Sequence, residues 1–432
     1  MLELQDTIVA CITGPGRSAV AAIRLSGSDA WTIASRLFTP WPSFPVPRHA
    51  YYGRFKNNDD GLLILFESLR SYTREATAEL FIHGSPASVR SLIEETIAHG
   101  ARLAEPGEFT RRAFLHGRLD LTQAEAVRDT IEAETEAQLR NAFRNLDGAL
   151  TKAFHSIREG AVAILAEIEA HVDFSEDLPP LDRNQMAGKV VDQRLRVDSL
   201  LGTANQGEIL RSGFRVAILG RPNAGKSTLL NTLLGRSRAI VSETPGTTRD
   251  FLEERIDVAG LPVVLIDTAG LRTSNDPIEA EGIDRSRTES QHAQLRLYLF
   301  ESWTPEDDAE WRALPSPKLK VRTKVDLATS TAAGEDLKVS CMTGEGLEDL
   351  NQALLRVADL TDTATILPRH QPILRAVRDH LNEAEQSLRG SRPLDLASVS
   401  LQAAVHELGK LIGETATADI LDEVFGTFCL GK

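Results

Sequence analysis

Short apolar runs open the chain. Those at 7–12 and 20–25 are separated by Gly14, Pro15 and Gly16, which predicts two strands around a turn. Runs at 61–66 and 78–82 predict further strands. Residues 88–99, with Val89, Leu92, Ile93 and Ile97 apolar, read as a helix. Residues 1–118 therefore read as mixed α and β. From Asp120 the pattern turns helical. Thr122 followed by Glu125 predicts a capping box. Leu139, Phe143, Leu146, Leu150, Phe154, Ile157, Leu165, Ile168 and Val172 then recur at spacings of three, four and eight, which fits one helix face ended by Pro179 and Pro180. Residues 190–201 predict another helix, and 202–213 a linker.

Residues 214–360 change character. Apolar runs at 214–219, 263–266, 295–300 and 319–321 alternate with helical segments, the pattern of a parallel sheet in an α/β domain. Helical spacing returns at Ile373, Leu374, Val377, Leu381 and Leu388, and again at Leu401, Val405, Leu408 and Ile412. The simplest organisation is an α/β domain inserted into a helical one: residues 1–118, 119–210, 211–365 and 366–432. The length of 432 residues agrees with more than one core. With 42% hydrophobic and 25% charged residues, the composition is that of an ordinary globular protein. No apolar run approaches the ~20 residues of a membrane span, and no basic residue precedes Arg17, so a secretory signal is not expected. Cys11, Cys341 and Cys429 are scattered, which excludes a zinc knuckle or disulfide frame and fits a reducing, cytoplasmic setting.

Charge limits the partners. The net is −14, but residues 1–118 hold 13 Lys/Arg and 12 Asp/Glu, leaving −15 for the remainder. Non-specific nucleic-acid binding needs clustered cations, so any RNA contact is local or made by a partner.

The strongest chemical signal is Gly220-Arg-Pro-Asn-Ala-Gly225-Lys226-Ser227, a GxxxxGK[ST] string between a predicted strand and a predicted helix. Phosphate oxygens need many backbone donors at close range. The glycines let the chain wrap them, Lys226 neutralises charge, and the Ser227 hydroxyl suits magnesium. Asp267-Thr268-Ala269-Gly270 follows the next strand, where an Asp reaches magnesium through water and the Gly270 N–H meets a γ-phosphate. Thr323-Lys324-Val325-Asp326 is third in order: its carboxylate can accept two guanine protons and its lysine stem can stack on the base, so GTP is favoured. Ser340-Cys341-Met342 is a soft match to a last guanine-loop element.

These elements look like a translation-factor-class, Ras-like GTPase domain, with Thr323 where Asn is usual and Leu271 where many such domains carry a water-orienting Gln. Gly246-Thr247-Thr248-Arg249-Asp250, Asp267–Arg272 and Ile278-Glu279-Ala280-Glu281-Gly282-Ile283, with Asn223 in the phosphate loop, resemble potassium-activated GTPases. Asp6-Thr7-Ile8, Pro15-Gly16-Arg17, Ile23-Arg24-Leu25-Ser26-Gly27, His83-Gly84, the run 101–127 and the ending Phe428-Cys429-Leu430-Gly431-Lys432 narrow the match. The whole chain resembles the tRNA modification GTPase MnmE (TrmE) family.

The resemblance implies an N-terminal α+β folate-binding and dimerisation domain, a helical bundle domain, and the GTPase inserted into it. It implies a homodimer that joins a flavoprotein, MnmG (GidA), in a heterotetramer and modifies carbon 5 of the tRNA wobble uridine with a tetrahydrofolate one-carbon donor. Folate would meet Arg24, Glu79, Arg118 and Lys432. Nucleotide would meet Asn223, Ala224, Gly225, Lys226, Ser227, Thr228, Ser242, Thr247, Thr248, Asp267, Thr268, Ala269, Gly270, Thr323, Lys324, Asp326, Ser340 and Cys341. Magnesium would be held by Ser227 and Thr248, and potassium by Asn223, Ser242, Thr244 and Thr247. Glu279 is the candidate to orient water, with Glu281 its rival. Arg249 as an arginine finger is disfavoured. Cys429 keeps two readings, catalytic thiol or structural neighbour of the folate; His83 reads as structural and Cys11 and Cys341 as packing residues. The competing function is a regulatory GTPase of ribosome assembly without one-carbon chemistry, which would normally append a basic module. A membrane-remodelling GTPase would need a basic amphipathic helix, and none is evident.

Overall fold

The computed structural model describes residues 6–174, 176–236, 253–267, 293–327, 337–390, 392–429 and 431. Ser242, Thr244, Thr247, Thr248, Arg249, Thr268, Ala269, Gly270, Leu271, Glu279, Glu281 and Lys432 lie outside them, and at Asp267 only the strand backbone is described.

The described residues form two sheets. The first runs through β1 (Ile8–Cys11), β2 (Ser18–Ser26), β3 (Phe38–Thr39), β4 (Ala50–Phe55), β5 (Asp60–Phe66), β6 (Thr77–Gly84) and β7 (Arg102–Leu103), in the order β3-β4-β5-β6-β2-β1-β7. Side chains alternate across it. Ile23, Leu25, Leu63, Leu65, Leu80 and Ile82 enter a core with Ile33, Leu37 and Leu92 from the helices Ala30–Leu37 and Pro86–Ala98. Their strand neighbours Arg24 and Glu79 point to the other face, where the register sets them opposite each other.

The second sheet contains β8 (Phe214–Gly220), β9 (Glu253–Val258), β10 (Leu261–Asp267), β11 (Leu295–Phe300), β12 (Lys318–Thr323) and β13 (Leu337–Val339), ordered β13-β12-β11-β8-β10-β9. All pairs are parallel except β9–β10. The central β11 is buried at every position, as expected of a strand covered on both faces. The chain leaves β8 for the helix Lys226–Arg236 and leaves β12 for a short turn at Val325–Leu327.

Ahead of this sheet lies the helix Ala149–Asp173, and after it the helix Leu394–Ile412. The two pack together, with Glu169 bonded to Ser398 and Gln402 and Arg158 paired with Glu414. The α/β domain is therefore inserted between partners of one helical assembly. The chain divides into two compact units: Met1–Arg128, Leu146–Ala187 and Glu383–Lys432 in one, Asp129–Asn145 and Gly188–Asn382 in the other.

Three local expectations need correction. The helix Leu121–Glu132 is opened by Asp120, not Thr122. Asp120 Oδ1 accepts the Gln123 N–H and the Thr122 hydroxyl, and Gln123 Oε1 accepts the Asp120 N–H, so the reciprocal box sits two residues earlier. The long apolar face is divided between the helices Glu136–Leu146 and Ala149–Asp173, parted at Gly148 with φ +81°, and Phe143 is exposed. The expected linker contains the helix Ala204–Ser212, held by buried Ile209 and Leu210.

Candidate nucleotide and ligand sites

The phosphate loop bends because of where its glycines fall. Gly220 has φ +135° and Gly225 φ +89°, with Asn223 between them at φ +65°. A Cβ on Gly220 would lie 2.2 Å from the Leu299 carbonyl oxygen, so no larger residue fits where β8 meets β11. Lys226 Nζ donates to the carbonyls of Gly220 and Arg221 at 2.6 and 2.8 Å, which folds the loop around its own lysine. Ser227 and Thr228 open the helix Lys226–Arg236 with exposed side chains, where helix N–H groups and dipole favour anions. Arg221 anchors the loop's outer side: it donates to Thr304 Oγ1 at 3.1 Å, and Thr304 forms a capping box with Asp307 at the helix Pro305–Ala313.

The candidate guanine loop, residues 323–326, is tied to this candidate phosphate loop. Thr323 is buried, and its hydroxyl lies 2.8 Å from the Ala224 carbonyl and 3.3 Å from the Phe300 carbonyl. A threonine therefore braces the phosphate loop where Asn is usual. Lys324 has φ +56° and its ammonium is 2.6 Å from Glu301 Oε2. Ser340 is fully buried and donates to Asp326 Oδ1 at 2.6 Å, while its own Oγ accepts the Thr343 N–H. Cys341 packs against the sheet's core, in line with a packing role. The structure thus brings Asn223, Ala224, Gly225, Lys226, Thr323, Lys324, Asp326 and Ser340 to the carboxyl ends of β8, β12 and β13, the edge where open α/β sheets bind ligands.

A second cluster forms on the outer face of the N-terminal sheet. Arg24 and Glu79 are bonded at 2.9 Å. The Arg24 guanidinium lies 4.9 Å from the Tyr72 ring centroid and 5.6 Å from that of Phe109, and the Arg118 guanidinium lies 4.5 Å from that of Tyr72. Arg118 also donates to the Tyr72 carbonyl at 2.7 Å. Burial lowers the Arg118 pKa; the Tyr72 phenol opposes this, and the charges of Arg24 and Arg74 add to the lowering. An anion placed here would be welcomed by two guanidiniums. The C-terminal tail packs on Gly107, two residues before Phe109: the Gly107 N–H points to the Cys429 carbonyl at 3.5 Å, and a Cβ on Gly107 would lie 2.4 Å from the Phe425 carbonyl oxygen. The Cys429 thiol is exposed. His83 bonds Asp59 at 2.6 Å at the rim of the sheet.

Two family models match the chain: the GTP-binding protein TrmE N-terminus over residues 7–118, and the MnmE helical domain over residues 121–429. Relatives match along their full length. The tRNA modification GTPase MnmE of Synechococcus sp. (strain JA-3-3Ab) is 37% identical over 457 residues, covering 99% of both chains. That of Cyanothece sp. (strain PCC 7425 / ATCC 29141) is 38% identical over 460 residues, covering 100% of both. That of Thermotoga petrophila is 38% identical over 455 residues, covering 99% of this chain and 100% of its own.

The chain belongs to the tRNA modification GTPase MnmE family.

Within this MnmE-family chain, three site residues had no sequence signal. Tyr72 lies against both Arg24 and Arg118 and Phe109 against Arg24, yet each ring stands alone among polar neighbours in the sequence. Glu301 sits at the end of an apolar strand, 23 positions from the lysine it holds. Only its placement after the last strand residue, at the edge that binds ligands, could have drawn attention to it.

Proposed function

We propose that this chain hydrolyses GTP in tRNA modification, and that the modification is an aminomethyl-type change at carbon 5 of the wobble uridine. Family membership supports the first part. The observation that carries the GTP site is the Thr323 hydroxyl on the Ala224 carbonyl, which makes base-reading and phosphate-reading loops one unit. The proposed domains are residues 1–118 for folate and dimerisation, 211–365 for GTP, and 119–210 with 366–432 for the helical body, in a cytoplasmic protein. In cells lacking this protein, nucleoside mass spectrometry of tRNA should lose the modified wobble uridine. An unchanged profile would leave a regulatory GTPase of ribosome assembly in its place.

In this reading Lys226 neutralises the β- and γ-phosphates, and Ser227 with Thr248 binds magnesium, for which the exposed hydroxyl at the helix start fits. Asn223, exposed at the loop's bend, is assigned to potassium with Ser242, Thr244 and Thr247. The two cations supply positive charge where the phosphates separate. Leu271 has no amide to hold water, so Glu279 takes that role. GTP turnover should be strongly faster in potassium than in sodium at matched ionic strength. Asn223→Ala should remove the difference, and Glu279→Ala should slow turnover while binding persists. Equal rates in the two salts would exclude potassium activation.

A tetrahydrofolate supplies the one-carbon unit. Glu79 would accept from a pterin edge with Arg24 fixing its orientation, and Arg118 would meet a glutamate carboxylate, with Lys432 closing the site. Calorimetry with 5-formyl-tetrahydrofolate should detect binding that Glu79→Ala/Arg118→Ala abolishes; equal affinity in the double variant would refute the assignment. Cys429, exposed on the docked tail, is the thiol candidate of the same site. Tyr52 and Leu62 face each other across β4 and β5 with 69% and 39% exposure, an apolar face in support of homodimerisation through this domain. The assembly is a homodimer joined by the flavoprotein MnmG, which sedimentation of the mixed proteins checks.

A further inference from the structure

We propose that Glu301 is a positioning residue for guanine recognition: its carboxylate holds the ammonium of Lys324 so that the lysine stem is laid out for the base. The inference rests on the GTPase reading above and names a residue that acts within that site. Two successive residues at the end of β11 hold two successive residues of the guanine loop. The Phe300 carbonyl accepts the Thr323 hydroxyl at 3.3 Å, and Glu301 Oε2 meets Lys324 Nζ at 2.6 Å. The parallel register of β11 and β12, with Phe300 opposite Arg322, delivers these partners to one edge.

The need for such a holder follows from lysine itself. Its four-carbon stem has many rotamers, and stacking along a flat base requires most of them to be given up. Lys324 starts from a left-handed backbone conformation, φ +56°, which turns its side chain away from the path of the strand. An ionic contact at the far end then fixes the stem from both ends before the base arrives, the ordinary route by which preorganisation raises affinity. Glu301 stands where it can do this and little else. Its side chain is 54% exposed and that of Lys324 36%, so the pair adds little to folding. It also lines a pocket of about 280 Å³ beside the phosphate loop with Arg221, Asn223 and Ala224, so it borders the nucleotide site.

A partly exposed pair sets the size of the effect. Glu301→Ala should weaken binding of N-methylanthraniloyl-GDP by about three- to five-fold, through faster dissociation. Glu301→Asp should recover part of the loss. In a Lys324→Ala background the Glu301 substitution should do nothing, because the partner is gone. The GTP-to-ITP preference should stay at the wild-type value in every Glu301 variant, since Asp326 reads the base edge, and the melting temperature without nucleotide should not move. Wild-type affinity in Glu301→Ala overturns the proposal, and so does an equal loss with and without Lys324. Binding of the fluorescent GDP by the wild-type chain reports on the GTPase reading separately, so a neutral Glu301 in a protein that binds guanine nucleotide overturns this inference alone.

Discussion

Asp326→Asn is expected to lower the preference for GTP by about a hundredfold or more and to raise the affinity for XTP. A carboxylate offers four lone-pair positions. The Ser340 hydroxyl takes one at 2.6 Å, which orients the group and leaves acceptors for both the N1 and N2 protons of guanine. Asparagine presents one acceptor and one donor, so one guanine N–H would face another N–H. Xanthine replaces the 2-amino group with a carbonyl and restores the match. Sites that lose a hydrogen-bond partner in this way discriminate by up to ~10⁴–10⁵ when fully enclosed. Asp326 is exposed here, so the expected loss falls below that limit, at about a hundredfold or more. Competition among GTP, XTP and ATP for one labelled nucleotide measures the change. An unchanged order of affinities would mean that residues 323–326 are not the guanine loop.

The phosphate loop was legible because its chemistry is contiguous. Glycine spacing, lysine and hydroxyl lie within eight residues, and backbone geometry leaves few other uses for them. The strands were legible for a similar reason: alternation and apolar runs are local, and every strand expected on that basis is present. What failed was local in another sense. Thr122 and Asp120 both satisfy a capping pattern, and only the geometry of Asp120 against Gln123 decides between them. Gly148 and Gly213 look alike in the sequence. One parts two helices and the other closes the helix Ala204–Ser212, which its polar surroundings concealed. Thr323 is the instructive case. As a letter it is a departure from an expected Asn. In place, its hydroxyl reaches the carbonyl that loop bracing needs, because the side chain is buried between β11 and the phosphate loop. Glu301 and Tyr72 were illegible because their partners lie 23 and 46–48 positions away, and a single charge or ring carries no periodicity.

Arg112→Met is expected to loosen the N-terminal sheet by about 3–5 kcal/mol at neutral pH, the usual consequence of stripping one partner from a buried ionic group. Arg112 is 1% exposed on the helix Glu108–Leu115. It donates to the Asp6 carbonyl at 2.9 Å and to Asp6 Oδ1, Glu108 Oε1 and Glu75 Oε1 at 2.6, 2.9 and 3.1 Å. Arg102 supplies the second cation, bonded to Glu108 and Asp6. Two guanidiniums thus hold three carboxylates, and removing one leaves the cluster with one cation for three acids. Burial alone would raise the Asp6 and Glu108 pKa values. The arginines, helped at Glu108 by the Glu105 N–H, outweigh it, Arg112 first for Asp6 and Arg102 first for Glu108, and both groups are lowered. A carboxyl lowered by folding stabilises the fold in full above its unfolded value, 3.8 or 4.5 here, and the contribution is lost as pH falls through the lowered folded value. Wild type should therefore lose stability below about pH 4.5. In Arg112→Met, Asp6 loses its leading counter-charge and Glu108 loses the second of its two, the pKa values of these two carboxyls rise, and the gap between variant and wild type narrows in acid. Hydrogen exchange along β1 and β2 reads this locally. At pH 7 their amides should exchange roughly a hundredfold or more faster in the variant, an effect that shrinks when stability is compared near pH 4. Equal protection at pH 7, or a gap that widens toward acid, would show that the arginine is not what holds these carboxylates.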